Sequence, residues 1–182
     1  MKMNQKRIKD LSGREVILRS AEPADAEALV RYLKITASET PYLIREPEEI
    51  QMTVENERNF LQKNLDSPKA LMLIATIDGE HIGNCSIAPV GNYQRYAHRC
   101  DLAIALYRKY CGLGIGRQMM EEALAQATAM GYEQAELEVI AENEAAIHLY
   151  ERLGFHKYGT FPDNMKYRDG KYADAYWMMK KL

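Results

Sequence analysis

The sequence predicts an α/β (α+β) fold, with a mixed, largely antiparallel central sheet flanked by about four helices. Three observations carry this. Two β-rich runs in "ALMLIATIDGEHIGNCSIAPV" meet at Asp78-Gly79, a strong hairpin turn signal. A second pair, "KYGTFPDNMKY" and "KYADAYWMMKK", flanks Asp169-Gly170 near the C-terminus. Between the hairpins, "RCDLAIAL", a long helix and "QAELEVI" read as a parallel crossover unit. Pure βα alternation would instead predict a doubly wound parallel sheet.

The elements follow in chain order. "EVILRSA" (Glu15 to Ala21) alternates polar and apolar residues, as a half-buried strand does. "EPADAEALVRYLK" predicts a helix, with Pro23 near its start and Ala28, Leu29 and Leu33 on one face. Pro41 and Pro47 bracket a loop, and "EEIQMTVENERNFLQKNL" predicts a second helix that ends before Ser67 and Pro68. The first hairpin and the strand "RCDLAIAL" come next. After the long helix and "QAELEVI", a short helix "EAAIHLYERL" is closed by Gly154. The expected order is β, two helices, three strands, helix, strand, helix, two strands.

Bulk properties narrow the function classes. A chain of 182 residues fits one domain, residues 1–182, and 47% hydrophobic residues argue against disorder. With 24 basic and 26 acidic residues the net charge is -2, which gives no bulk attraction to nucleic acid. The basic N-terminus "MKMNQKRIKDLSG" lacks the apolar run of a secretory signal, and no stretch approaches the length of a membrane span. Cys85, Cys100 and Cys111 are odd in number and lack CxxC spacing, so reduced thiols and a cytoplasmic location are expected. His81, His98, His148 and His156 are scattered without metal-ligand spacing, so no metal is expected.

The densest signal is "YRKYCGLGIGRQMMEEALAQATAMGY", where Gly112, Gly114 and Gly116 precede a long run of helix formers. A loop there exposes free backbone N–H groups and the positive end of a helix dipole, which suit phosphate oxygens. A tight strand-to-helix turn would use glycine as well. The Rossmann fingerprint fails, because its last position, counted from Gly112 and Gly114, falls on Arg117; the Walker pattern is absent. Downstream, "NEAAIHLYERLGF" puts Asn143 at a helix N-cap, with Ala146, Ile147, Tyr150 and Leu153 on one helix face. Periodicity alone makes Tyr150 a core aromatic.

Together, "GLGIGRQMM" and "NEAAIHLYERLGF" resemble the two signature segments of the GNAT superfamily of acetyl-CoA-dependent N-acetyltransferases, [QR]-x-x-G-x-[GA] and N-x-x-A-x-x-x-Y-x-x-x-G-F. The element order agrees along essentially the whole chain. The resemblance implies acetyl-CoA as cosubstrate and no metal. It implies that Gly112, Gly114 and Gly116, with the amides of Leu113, Ile115 and Arg117, cradle the CoA pyrophosphate. Ile104 and Leu106 would pair their backbone with the pantetheine amides, Asn143 would bond the cofactor near that arm, and Tyr150 would sit beside the sulfur, where its hydroxyl is the candidate acid. Cys111 stands where the pattern has Gln or Arg. Arg108, Lys109 and Arg117 are the alternative sources of positive charge.

Acetyl transfer needs a neutral amine, although a lysine-like amine has a pKa of about 10.4. It also needs an oxyanion donor, and a proton for the thiolate. Alternation along "HRCDLAIAL" puts Asp101, Ala103 and Ala105 on one face and Cys100, Leu102, Ile104 and Leu106 on the other. The resemblance implies an acidic residue facing the acceptor at the place of Asp101, which makes Asp101 the candidate base and His98 a weaker one; a solvated strand carboxylate is the bland alternative for Asp101. Cys100 and Cys111 raise the option of a relayed acyl enzyme, whereas the family implies direct transfer. The acceptor is expected to be a small-molecule amine or a peptide N-terminal amine, with a homodimer left open and neither nucleic acid nor membrane as partner. Glu39, Glu46, Glu48, Glu49, Glu55 and Glu57 crowd one segment and either select a cationic acceptor or form a solvated face. Tyr172, Tyr176 and Trp177 either wall the site or pack the sheet. A non-catalytic acyl-CoA-binding sensor is the competing reading; a third, a nicotinamide enzyme, fails on the missing last glycine and the hairpins.

Overall fold

The computed structural model describes residues 2–182. Among them, eight strands form one sheet: β1 (Lys6–Lys9), β2 (Glu15–Ser20), β3 (Leu71–Ile77), β4 (Glu80–Pro89), β5 (Arg99–Leu106), β6 (Gln134–Ile140), β7 (His156–Lys166) and β8 (Tyr172–Lys181). Their order is β1-β2-β3-β4-β5-β6-β8-β7, and every neighbouring pair is antiparallel except β5–β6. Four α-helices flank it: α1 (Ala26–Glu39), α2 (Val54–Asp66), α3 (Ile115–Ala129) and α4 (Glu144–Arg152). The mixed, largely antiparallel sheet expected from the sequence is therefore present, with both hairpins in place.

Two elements depart from expectation. The sequence gives no signal for β1, because "KRIK" is short and has a single apolar residue. It forms as an edge strand beside β2, and its lysines discourage pairing with another chain. The second helix starts at Val54 rather than Glu48. The Glu46 and Glu49 side chains cap a single 3-10 turn over Pro47–Glu49, and Ile50 then leaves in an extended conformation. Thr53, whose hydroxyl accepts the Asn56 N–H at 3.1 Å, is the true N-cap.

The sheet has two covered faces. On one, Leu71, Leu73 and Ala75 of β3, Cys85 and Ile87 of β4, and Cys100 and Leu102 of β5 pack with Ile115, Met119, Met120 and Ala123 of α3, and with Tyr150 of α4. On the other, Ile74 packs with Ala26, Leu29 and Leu61 under α1 and α2. Full burial of such a side chain contributes roughly 1.5–3 kcal/mol.

The functional consequence lies in the middle of the sheet. The β4–β5 ladder runs from Gly83 opposite Leu106 to Pro89 opposite Cys100, and the β6–β8 ladder from Gln134 opposite Lys181 to Ile140 opposite Ala175. The β5–β6 pairing covers only Arg99 with Gln134, Cys100 with Ala135, and Asp101 with Glu136. Past Asp101 the two strands part, and the sheet opens into a split with a strand edge on each side. Unpaired backbone groups inside a domain are costly, so such edges call for a partner.

Candidate active site

Backbone phase decides which groups face the split. The Val90 N–H donates to the Arg99 carbonyl at 3.2 Å, and the Tyr107 N–H to the Ile82 carbonyl at 3.1 Å. Antiparallel pairing turns successive residues' polar groups to opposite sides of a strand. Arg99, Asp101, Ala103, Ala105 and Tyr107 therefore bond β4, while Ile104 and Leu106 turn their N–H and C=O groups into the split. A ligand carrying amides could extend the ladder there.

The β5 end of the split leads to the glycine loop. Gly112 and Gly114 both have φ +75°, the left-handed region, and Gly114 is the N-cap of α3. Gly116 has a different role: a Cβ there would meet Leu106 Cδ1 at 3.4 Å and Ile104 Cδ1 at 3.8 Å, so its bareness lets α3 lie close on β5. The Leu113 carbonyl accepts the Leu11 N–H at 3.0 Å, and Ile115 is fully buried. The N–H groups of Gly112, Leu113, Gly114, Ile115, Gly116 and Arg117 find no acceptor among the described residues, and no side chain caps α3. A run of free donors at the positive end of a 15-residue helix can hold phosphate oxygens.

Side-chain charge adds little in the present arrangement. Arg117 Nε pairs with Glu121 at 2.8 Å along the helix, and Lys109 lies 5.0 Å from the Tyr110 ring centroid. Cys111 is exposed and its thiol approaches the Tyr107 carbonyl at 3.7 Å. The donors the loop offers are therefore backbone groups, which Cys111 in place of Gln or Arg leaves intact. The loop suggests one measurement. Gly112→Val places a branched side chain at a left-handed position whose Cβ meets nothing within 4 Å, so the added bulk enters the open space of the loop. CoA affinity by calorimetric titration should fall at least tenfold, about 1.4 kcal/mol, in a variant that still melts cooperatively; unchanged affinity would remove the loop from the site. Gly114→Val is the poorer test, because its Cβ would press on Leu11 Cγ at 3.2 Å.

The candidate acid and base stand on opposite faces. Asn143 caps α4, its side-chain oxygen accepting the Ala146 N–H at 3.3 Å. Tyr150 is 7% exposed, with its ring 6.0 Å from Phe155 in the core shared with Cys85 and Cys100. Its hydroxyl makes no hydrogen bond to a described residue. Yet the one fully buried side-chain polar atom without a partner among those residues is His81 Nδ1. The Tyr150 hydroxyl is therefore not fully enclosed, although its ring is core. Burial raises its pKa, which keeps it protonated.

Asp101 lies on the other face of β5, on the last β5–β6 pair, where the split begins. Burial, then Glu136, then Glu138 push its carboxyl up to about 6. Its surface remains substantially exposed, so solvent screening keeps the stability linked to this shift small. A cleft of about 250 Å³ opens beside it, lined by Val90, Asp101, Glu136, Leu137, Glu138, Tyr158 and Trp177. Glu136 is 7% exposed and takes a two-pronged ion pair from Arg99, one prong at 2.7 Å. Glu138 is held by Asn164 Nδ2 and Trp177 Nε1, both at 2.9 Å.

Other candidates find different work. The His98 carbonyl accepts the Glu133 and Gln134 N–H groups at 2.9 and 3.1 Å, and its ring is not among the cleft's lining. Burial pushes the Cys85 and Cys100 thiols up to about 12 and raises Cys111, so none is an activated thiolate. Most of the glutamate-rich segment is committed elsewhere. Glu39 accepts the Arg108 N–H at 2.7 Å, Glu48 pairs with Arg168 at 2.6 Å, Glu49 caps Glu46, and Glu57 is buried. Trp177 lines the cleft, Tyr176 packs on the opposite core, and Tyr172 lines a second cleft with Tyr42 and Tyr167. The acidic wall at Glu136 and Glu138 was not foreseen; "QAELEVI" shows both carboxylates on one strand face, but not that β5 and β8 deliver Asp101 and Trp177 beside them.

Comparison with known proteins gives one consistent picture. The model of the acetyltransferase (GNAT) family matches residues 32–155. The L-amino acid N-acetyltransferase AaaT of Escherichia coli K12 is 28% identical over 169 residues, covering 91% of this chain and 98% of its own. The crystal structure of a GNAT-family acetyltransferase from Streptococcus pneumoniae superposes with a TM-score of 0.88 at 32% identity, covering 92% of this chain and 99% of its own. The Salmonella typhimurium protein yncA, solved with its cofactor acetyl-CoA, has a TM-score of 0.82 at 17% identity over 92% of this chain and 94% of its own, a likeness of fold.

Proposed function

Because the chain belongs to the acetyltransferase (GNAT) family, we propose that it moves an acetyl group from acetyl-CoA to a primary amine by direct transfer in a ternary complex. The observation that carries this is the split between β5 and β6. It joins the run of free N–H donors at Gly112–Arg117, the backbone that Ile104 and Leu106 turn away from β4, and Asp101 at its closed end. These residues fit an elongated ligand with phosphates at one end and amides along its arm. Acetyl-CoA supplies the activated thioester.

The chain's own groups do the rest. The Gly112–Arg117 amides hold the pyrophosphate, Ile104 and Leu106 align the arm, and Asn143 donates its remaining amide hydrogens from the α4 cap. Asp101, made more basic by burial beside two carboxylates, takes the proton from the incoming amine on one face of β5. Tyr150, kept protonated by burial, hydrogen-bonds or protonates the leaving sulfur from the other. The buried thiol of Cys100 and the raised pKa of the Cys111 thiol support direct transfer over a relayed acyl enzyme.

Thiol release from acetyl-CoA, screened over amino acids, alkylamines, polyamines, aminoglycosides and peptide N-termini, tests the reading. Release that depends on one class of amine is expected. Tight CoA binding with no amine-dependent release would favour the sensor reading instead.

A further inference from the structure

We infer that Glu138 sets acceptor choice: the cleft beside Asp101 takes amines with no carboxylate on the neighbouring carbon and disfavours free α-amino acids. The inference rests on the acetyl-transfer reading above, in which Asp101 marks where the amine arrives.

The cleft's walls have one sign of charge and one apolar surface. Three carboxylates, Asp101, Glu136 and Glu138, line it. Arg99 answers the charge of Glu136, and no described cation forms an ion pair with either Asp101 or Glu138. Glu138 is also fixed in place. Its two oxygens are taken singly by Asn164 Nδ2 and Trp177 Nε1, both neutral donors, so its orientation is set while its charge remains. Burial first, and then the proximity of Glu136 and Glu138, raises the Asp101 pKa, so the field of both carboxylates reaches the position of the base. A second carboxylate arriving next to the reacting nitrogen would meet that same field. Loss of the carboxylate leaves an ammonium, which the field attracts, and a body to place on the wall.

The wall suits an apolar body. Trp177 is 38% exposed, with Tyr158 stacked on it at 6.3 Å between ring centroids and Phe161 at 5.7 Å. Gly159 makes this stack possible, because a Cβ there would come within 3.0 Å of Trp177 Cε3. An aromatic face beside uncompensated carboxylates is also a favourable seat for a cation.

Matched pairs that differ only by the carboxylate test the inference: tyramine against tyrosine, and isoamylamine against leucine. Thiol release with acetyl-CoA should give kcat/KM at least tenfold higher for each amine than for its amino acid. Glu138→Gln keeps a side-chain oxygen for Trp177 and removes the charge. It should shrink the tyramine-to-tyrosine ratio at least about threefold, mainly through a lower KM for tyrosine, and added salt should shrink the ratio in the parent. Equal or reversed preference in the parent, or a ratio that Glu138→Gln leaves unchanged, overturns the inference. Turnover of other amines with none of these four does so as well. Absence of release with every amine instead overturns the acetyl-transfer reading on which it rests.

Discussion

Asp101→Asn should slow acetyl transfer by roughly 10²–10⁴-fold at neutral pH, the usual worth of a general base, while CoA affinity stays near that of the parent. The side chain keeps its size and loses its basicity. The pH profile gives the sharper sign. Asp101 works only when deprotonated, and burial beside Glu136 and Glu138 holds its pKa at about 6. The parent's kcat/KM should therefore rise through a limb near pH 6, with a second, higher limb from the amine itself, near 10.4 for a lysine-like acceptor. Asp101→Asn should keep the upper limb and lose the lower. Unfolding would not produce this pattern. A carboxyl whose pKa is raised on folding contributes stability that is fully present below its unfolded value of 3.8 and is lost as pH rises through about 6, so at neutral pH the neutral amide costs the fold nothing. An Asp101→Asn enzyme within threefold of the parent, or one that keeps the lower limb, would make Asp101 a solvated strand carboxylate.

Tyr150→Phe should lower the single-turnover rate roughly a hundredfold, the low end for a general acid, because a thiolate of pKa about 8.5 is already a fair leaving group. The structure sharpens the comparison. The ring is core, packed near Phe155, and phenylalanine preserves it. The hydroxyl has no described partner to orphan, so folding stability should change little. Reduced rate with unchanged melting temperature and CoA affinity is therefore the expected combination. Turnover within threefold of the parent, measured with bound acetyl-CoA so that product release does not intrude, would assign the proton to water or to another donor.

Local rules made much of the architecture legible. The Asp78-Gly79 turn is written in two residues, and both take positive φ, 50° and 83°, as a tight hairpin turn requires. The glycine loop was also readable, although its three glycines proved to serve two purposes, left-handed backbone at Gly112 and Gly114 and close helix packing at Gly116. Failures came where a partner distant in sequence decides the outcome. β1 is a strand because β2 offers it an edge, not because "KRIK" favours extension. Glu48 reads as a free carboxylate until Arg168, 120 residues away, is placed 2.6 Å from it. The acidic cleft likewise exists only once β5, β6 and β8 are in register, with Asp101 opposite Glu136 and Glu138 opposite Trp177. Tyr150 was legible as a core aromatic and, by resemblance, as an acid; the fold allows both, since its ring and its hydroxyl meet different surroundings.

The most direct test of the account is a single turnover with acetyl-labelled acetyl-CoA bound in excess enzyme, mixed with the best amine from the screen and quenched over time. Product and protein are then analysed by mass spectrometry. Direct transfer at the split predicts one labelled N-acetyl amine for each free CoA thiol, with no label on the protein at any time. Label held on a cysteine before it reaches the amine, or CoA release with no acetylated amine, would contradict it.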